Sequence, residues 1–338
     1  MPRKVFKIFK KRFVFFLDSA KGLVRFLLNY KRTIIVGIIA YTIISFGLGI
    51  AGGYFLTKGG LFEFDEITPE DRILIIAPHI DDEAICTGGI IQEAVEKEAN
   101  IRVVFLTNGD DNIGSAIAEG KKLEPNEFIV MGEQRMQEGR NSAAVLGLAQ
   151  DNVIFLGYPD GGLYHMLSVN FGLDNPYISR STKFSYNPYR GTYREEQKYA
   201  GENLVSDLKN IIDDFQPTIV FLPHIRDKHP DHRAAHLFLE KAINGGDYSH
   251  VRFFSYLVHY KLYPPKKRLL PLHFMYPPKS LFAQEGWYSF NLSEEQQKKK
   301  EEAIYENYSQ VKPALVGSLK NFLLSFVKRN EIFEKIEF

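Results

Sequence analysis

Along the chain, short apolar runs alternate with longer stretches whose apolar positions recur every three or four residues. The runs at 72–77, 101–107, 153–156, 218–222 and 251–258 are nearly continuous in Val, Ile, Leu and Phe. Runs of that length without a polar face predict strands buried on both sides. The stretches at 84–97, 128–148, 202–215 and 230–242 carry the helical period instead. Alternation of the two implies an α/β fold, with a mostly parallel sheet covered by helices on both faces. In such sheets ligands bind beyond the carboxyl ends of the strands. Residues 164–198 break the pattern: they are rich in Tyr, Asn, Pro, Ser and Arg and read as an insertion near the ligand-binding rim. A Pro- and Lys-rich loop at 263–279 precedes a helix at 293–308 and a last apolar helix at 318–327. The run Gln296–Glu302 reads as a solvated helix face.

The first 56 residues differ from the rest. Residues 1–32 hold ten Lys/Arg and one acidic residue, Asp18, so the nearly neutral whole hides a body of net charge −8. A mildly acidic body argues against nucleic acid as a partner. Val5, Phe9, Phe13, Phe16, Ala20, Leu23 and Leu27 recur at helical spacing among lysines, the pattern of a basic amphipathic segment on an anionic lipid surface. Residues 33–56 then run 24 positions without a charge. About 20 apolar residues suffice to span a bilayer, so a transmembrane helix is expected at 33–56. The positive-inside rule puts the N-terminus in the cytoplasm and the domain beyond a 57–70 linker on the outer side, a cytoplasmic-facing domain being the alternative. One cysteine, Cys86, excludes an internal disulfide framework.

The chemistry-bearing residues gather at the strand ends. The first run ends in Pro78-His79-Ile80-Asp81-Asp82-Glu83. Acidic residues suit a helix start, which accounts for Asp82 or Glu83 alone but not for His79 beside two aspartates. The fourth run is followed by His224 and then by His229-Pro230-Asp231-His232, where the proline suits a first helical turn. The second run ends near Asp110 and the third near Asp160. His79, Asp82 and His232 would make a two-histidine, one-carboxylate set for a catalytic zinc, leaving Asp81 as a base and His229 as a hydrogen-bond donor.

With these motifs in hand, residues 71–338 resemble the PIG-L/LmbE family of zinc-dependent N-acetylglucosaminyl deacetylases. The family's (A/P)-H-P-D-D-E motif is met by residues 78–83, with Ile80 in place of proline, and its H-P-D-H motif by residues 229–232. Looser similarity covers Arg135-Met136-Gln137-Glu138, the stretch 155–161 and the closing helix through Gln310. The resemblance implies a Rossmann-like domain and an N-acetylated sugar as substrate. It implies Zn2+ held by His79, Asp82 and His232, Asp81 as general base, and His229 on the oxyanion or leaving amine. It further implies sugar contacts from Arg135 and Asp160. Alternatives are another metal-dependent amidase or esterase on the same scaffold, or a non-catalytic membrane-tethered binding module. No G-x-S-x-G, G-x-G-x-x-G or G-x-x-x-x-G-K-[ST] pattern follows the first strand to support a serine hydrolase or a nucleotide-binding loop.

Overall fold

The computed structural model describes residues 16–25, 30–31, 33, 35–47, 60–112, 117, 120, 122–282, 286–311 and 317–338. The chain divides into two units, Met1–Gly59 and Gly60–Phe338. In the first unit, residues 35–47 are helical and exposed. Among the described residues no helix is long and apolar enough to cross a membrane. This corrects the expected transmembrane helix at 33–56, and with it the single-pass membrane topology. Residues 1–15 and 48–59, and with them much of the basic amphipathic segment, lie outside the described residues.

The second unit is built on one eight-stranded sheet. Its elements, in chain order, are β1 (Phe62–Glu63), β2 (Arg72–Ala77), α1 (Asp82–Glu96), β3 (Asn100–Thr107), α2 (Pro125–Val145), β4 (Val153–Tyr158), α3 (Leu163–Leu167), α4 (Gly201–Phe215), β5 (Ile219–Pro223), α5 (Pro230–Ile243), β6 (Arg252–Tyr256), α6 (Lys279–Phe282), β7 (Trp287–Asn291), α7 (Glu294–Glu306), α8 (Tyr308–Val311), α9 (Gly317–Leu324) and β8 (Asn330–Ile336). The spatial order is β1-β7-β8-β6-β5-β2-β3-β4. Strands β2 to β6 pair in parallel, as expected. Strand β8 runs antiparallel to both β6 and β7, so the sheet is mixed.

Alternating side chains of the central strands feed two cores. Ile73, Ile75, Val103, Phe105 and Phe221 pack on one face with Ile90, Ile91, Met136 and Ile304 from α1, α2 and α7. Leu74, Ile76, Val104, Leu106, Val220 and Leu222 pack on the other with Leu204, Leu208, Ile211, Phe238 and Leu239 from α4 and α5. The helices thus cover both faces, which explains the unbroken apolar reading of the strands. Lys300, expected on a solvated face, is fully buried and pairs with Glu331 at 2.5 Å. Glu331 also accepts the backbone N–H of Gly89 and Ile90, at 2.8 and 3.2 Å. One buried ion pair therefore fastens α1, α7 and β8 together.

From β2 the chain moves through α1 to β3 on one side, while β5 lies on the other side of β2. This makes the carboxyl ends of β2 and β5 the point where the winding reverses, the usual place for a ligand crevice. His79 follows β2 and His229 follows β5.

Candidate active site

The turn after β2 is held in an unusual conformation. Asp81 has φ +148°, a region that residues with a Cβ seldom occupy. Its neighbours fix it. The Ile80 carbonyl accepts hydrogen bonds from Arg135 Nη2 at 3.1 Å and Gln310 Nε2 at 2.9 Å. The Asp81 N–H donates to Glu83 Oε2 at 3.1 Å, and the Ile85 N–H returns to the Asp81 carbonyl at 3.0 Å. Glu83 is itself held by the Ser142 hydroxyl at 2.7 Å, and burial raises its carboxyl to about 8. The closing segment reaches this turn because Ser309 is tied to Glu138: its N–H and hydroxyl donate to that carboxylate at 3.0 and 2.7 Å. The loosely similar stretches around Arg135 and Gln310 therefore meet behind the β2 turn.

On the open side, three donor atoms converge. His79 Nδ1 lies 3.4 Å from Asp82 Oδ2 and 3.2 Å from His232 Nε2, and those last two atoms are 3.3 Å apart. Four tetrahedral ligands at the usual zinc bond lengths of about 2.0–2.1 Å stand roughly 3.3–3.4 Å from one another, so this triangle matches one face of a zinc tetrahedron. The electrostatics agree. Burial disfavours protonation of His232, but Asp82 and Asp227 outweigh it and push the ring up to about 10. Burial likewise opposes a charge on His79, and Asp160, Asp231 and Asp82 overcome it. The pocket draws positive charge to the triangle, as a seat for a divalent cation must. The residues present fit the metal that the two motifs imply.

Each donor has support behind it. Asp227 Oδ2 lies 3.4 Å from His232 Nδ1. The same oxygen accepts the N–H groups of Val258 and His259, and Oδ1 accepts that of His229, all at 2.9 Å. His79 Nε2 faces Asp160 Oδ1 at 3.3 Å and Asp231 Oδ2 at 3.5 Å. Carboxylates in these places fix ring orientation and tautomer in metal sites. Asp231 also accepts the N–H groups of Gly161 and Leu163, at 2.7 and 3.2 Å, and so ties α5 to the β4 loop. His229 caps α5, its Nδ1 accepting the Asp231 N–H at 3.3 Å. That bond leaves the ring proton on Nε2. Burial and the neighbouring His79 and His232 depress the ring to about 4, so it stays neutral with an N–H to donate. The His229 ring centroid is 4.6 Å from that of His79. Asp81 is raised to about 6 by burial and by Asp82, with Arg135 and His79 pulling the other way.

The structure brings His79, Asp81, Asp82, Asp160, His229 and His232 to one crevice. Arg135 stands apart in its contacts. It is 3 % exposed, and both Nη atoms are committed to backbone carbonyls, those of Ile80 and of Gly109 at 2.8 Å. Gly109 has φ +65°, and a Cβ there would run into the guanidinium. His224 stacks on Trp287 and pairs with Glu334 at 2.5 Å. The stretch 164–198 folds over the ends of β3 and β4. Tyr189 donates to Asp110 Oδ2 at 2.7 Å, the Tyr193 N–H to the Phe155 carbonyl at 2.8 Å, and Arg180 Nε to Asp111 Oδ2 at 3.1 Å. Sequence reasoning did not assign Asp227, Gln310 or Glu138. Glu138 and Gln310 fell within the stretches of looser family similarity without a role of their own, and Asp227 stands two positions before His229.

Fold and crevice together define an α/β protein with two histidines and an aspartate gathered at the reversal point of its sheet. Residues 74–243 match the family described as PIG-L: GlcNAc-PI de-N-acetylase, half of the chain, and the chain belongs to that family. A 1D-myo-inositol 2-acetamido-2-deoxy-alpha-D-glucopyranoside deacetylase of Mycobacterium sp. (strain KMS) is 27 % identical over 199 residues, covering 56 % of this chain and 54 % of the relative. Its namesake in Corynebacterium kroppenstedtii is 28 % identical over 173 residues, covering 50 % and 40 %. The chain thus spans about half the length of the curated relatives it matches. Among solved structures, the N,N'-diacetylchitobiose deacetylase of Pyrococcus horikoshii aligns with a TM-score of 0.48 at 18 % identity, covering 81 % of this chain and 87 % of that one.

Proposed function

We propose that the protein is a zinc-dependent N-deacetylase acting on an N-acetylglucosamine-type sugar. The observation that carries this reading is the donor triangle of His79, Asp82 and His232, with Asp81 next to it in the chain and His229, held neutral, beside the His79 ring. Membership of the PIG-L family and the deacetylase activity of the Mycobacterium and Corynebacterium relatives support the substrate class.

His79 Nδ1, Asp82 Oδ2 and His232 Nε2 would hold the metal. Zinc in that position supplies a Lewis acid and lowers the pKa of water toward about 7. Asp81 takes the proton as the water oxygen attacks the acetamide carbonyl carbon. His229 Nε2–H donates to the oxygen that gains charge in the tetrahedral transition state. Asp81 then returns its proton to the amine nitrogen, the C–N bond breaks, and amine and acetate leave. Asp160, beside His79, would receive a sugar hydroxyl. Arg135 acts from behind, bracing the Ile80 and Gly109 carbonyls. The 164–198 stretch is the wall against which the sugar would sit.

The test is acetate release from N-acetylglucosaminyl-inositol and from diacetylchitobiose, with metal content measured on the same preparation. About one zinc per chain and chelator-sensitive acetate release are expected. Absence of bound zinc, together with chelator-resistant release, would overturn the mechanism.

A further inference from the structure

Asp160 is held beyond the end of β4 by three attachments. Its N–H donates to Asp110 Oδ1 at 3.1 Å. Its Oδ2 accepts the Asp111 N–H at 3.4 Å. Its Oδ1 faces His79 Nε2 at 3.3 Å. Asp110 and Asp111 follow β3, and His79 follows β2. The carboxyl ends of three neighbouring strands therefore meet at this one residue.

Both aspartates behind Asp160 are in turn held by the 164–198 stretch. Asp110 is fully buried, and its Oδ2 accepts the Tyr189 hydroxyl at 2.7 Å. The Asp111 carboxylate accepts from Arg180 Nε at 3.1 Å, from Arg180 Nη2 and from the Ser181 hydroxyl. Tyr189 is itself fixed. It is 1 % exposed, and its N–H donates to Asn187 Oδ1 at 3.1 Å. Asn187 Nδ2 donates to the Leu156 carbonyl of β4 at 3.3 Å. A Cβ at Gly132 would lie 2.5 Å from the Tyr189 hydroxyl oxygen, so α2 leaves the room that the phenol fills. A continuous chain of contacts thus runs from the β4 edge through Asn187, Tyr189, Asp110 and Asp160 to His79.

We propose that Tyr189 and Arg180 are positioning residues for Asp160, Tyr189 acting through Asp110 and Arg180 through Asp111. Their task is to keep Asp160 Oδ1 on His79 Nε2, because a carboxylate behind a metal-binding imidazole fixes its orientation and tautomer. The inference rests on the reading of His79 as a metal ligand. It goes beyond that reading by making a segment outside both site motifs a determinant of the site. Burial, and then repulsion from Asp160, raise the Asp110 carboxyl to about 7. Two carboxylates that repel turn apart unless donors hold them, and the Tyr189 hydroxyl holds the far oxygen of Asp110 while Oδ1 faces Asp160. Tyr189→Phe removes that one hydroxyl and keeps the packed ring, so it cuts the chain at a single bond.

The experiment is a double-mutant cycle on the full 338-residue chain, read as zinc affinity in competition with a chromophoric chelator. Asp160→Ala should weaken zinc binding about tenfold, the lower end of the range for such partners. Tyr189→Phe should weaken it about threefold in the parent and leave it unchanged beside Asp160→Ala, where the residue it positions is gone. A merely structural tyrosine would lower the melting temperature in both backgrounds without that coupling. Arg180→Gln, an exposed change run in parallel, should show the same coupled loss through Asp111, and it decides the matter if Tyr189→Phe does not fold. Parental zinc affinity in Asp160→Ala or in the folded Tyr189→Phe, or a loss that persists in full beside Asp160→Ala, overturns the proposal. A parent that binds no zinc overturns the metal reading and this inference with it, so the parent alone tells the two failures apart.

Discussion

Asp227 offers the sharpest view of how the crevice is supported. It is fully buried, and its two oxygens accept three backbone N–H groups at 2.9 Å while Oδ2 faces His232 Nδ1 at 3.4 Å. Asp227→Asn keeps the shape but puts an amide NH₂ where an acceptor stood. If the remaining oxygen stays with Val258 and His259, the NH₂ opposes the His229 N–H, and one charge-assisted bond worth about 1.5–3 kcal/mol is lost. His232 loses its carboxylate partner in either orientation. Changes of that kind weaken metal binding by about 10–100-fold, or about 1.4–2.7 kcal/mol. The assay is a competition titration against a chromophoric zinc chelator, paired with urea unfolding of the metal-free protein. Zinc affinity should fall within that range, and unfolding stability by roughly 2 kcal/mol. A stability loss with unchanged zinc affinity would refute the reasoning, because it would leave Asp227 as a loop tie with no bearing on a metal ligand.

Three further outcomes follow from the same geometry. Asp81→Asn should retain zinc while turnover falls by about 10²–10⁴-fold, the usual share of a general base; loss of zinc on metal analysis would exchange the roles of Asp81 and Asp82. Lys300→Met strands Glu331 in the core and should cost about 3–5 kcal/mol in urea unfolding, so a midpoint equal to the parent's would contradict the bracing of α1, α7 and β8 described above. Burial, with Lys266 and Arg268 adding like charge, depresses the Lys328 ammonium and sets a pH dependence. Between its folded value of about 8 and an unfolded value of about 10.4, the unfolded chain binds the extra proton, so this group makes stability rise with pH across that window. Urea midpoints measured across the window should climb more steeply for the parent than for Lys328→Met, and parallel profiles would contradict the depressed ammonium.

How much of this was legible in the sequence depended on where each partner lies along the chain. Strands β2 to β6 could be read because burial on both faces leaves an unbroken apolar run. Strand β8 could not, because Asn330 and Glu331 are polar and yet buried, their charges and amides satisfied by Lys300, Ser289 and Met275. The sheet, expected to be mostly parallel, is parallel in its pairings except for those of β8. The two site motifs were legible because each is contiguous, and the fold brings His79 onto His232 across 153 positions. Their supports were not. Gln310 reaches Ile80 across 230 positions and Ser309 reaches Glu138 across 171, and nothing local to either residue marks such a partner. Arg135 illustrates the converse, a recognisable residue whose contacts are backbone carbonyls that no side-chain pattern encodes. At 33–56, hydropathy alone implied a membrane span that the described helical residues do not make.

The central claim is that His79, Asp82 and His232 form one metal seat. Anomalous scattering at the zinc edge, on crystals of the protein grown with zinc, tests it most directly. The account predicts a single strong peak about 2.0–2.1 Å from His79 Nδ1, Asp82 Oδ2 and His232 Nε2, with Asp81 unligated. A peak centred on other residues, or none in the crevice, would contradict it.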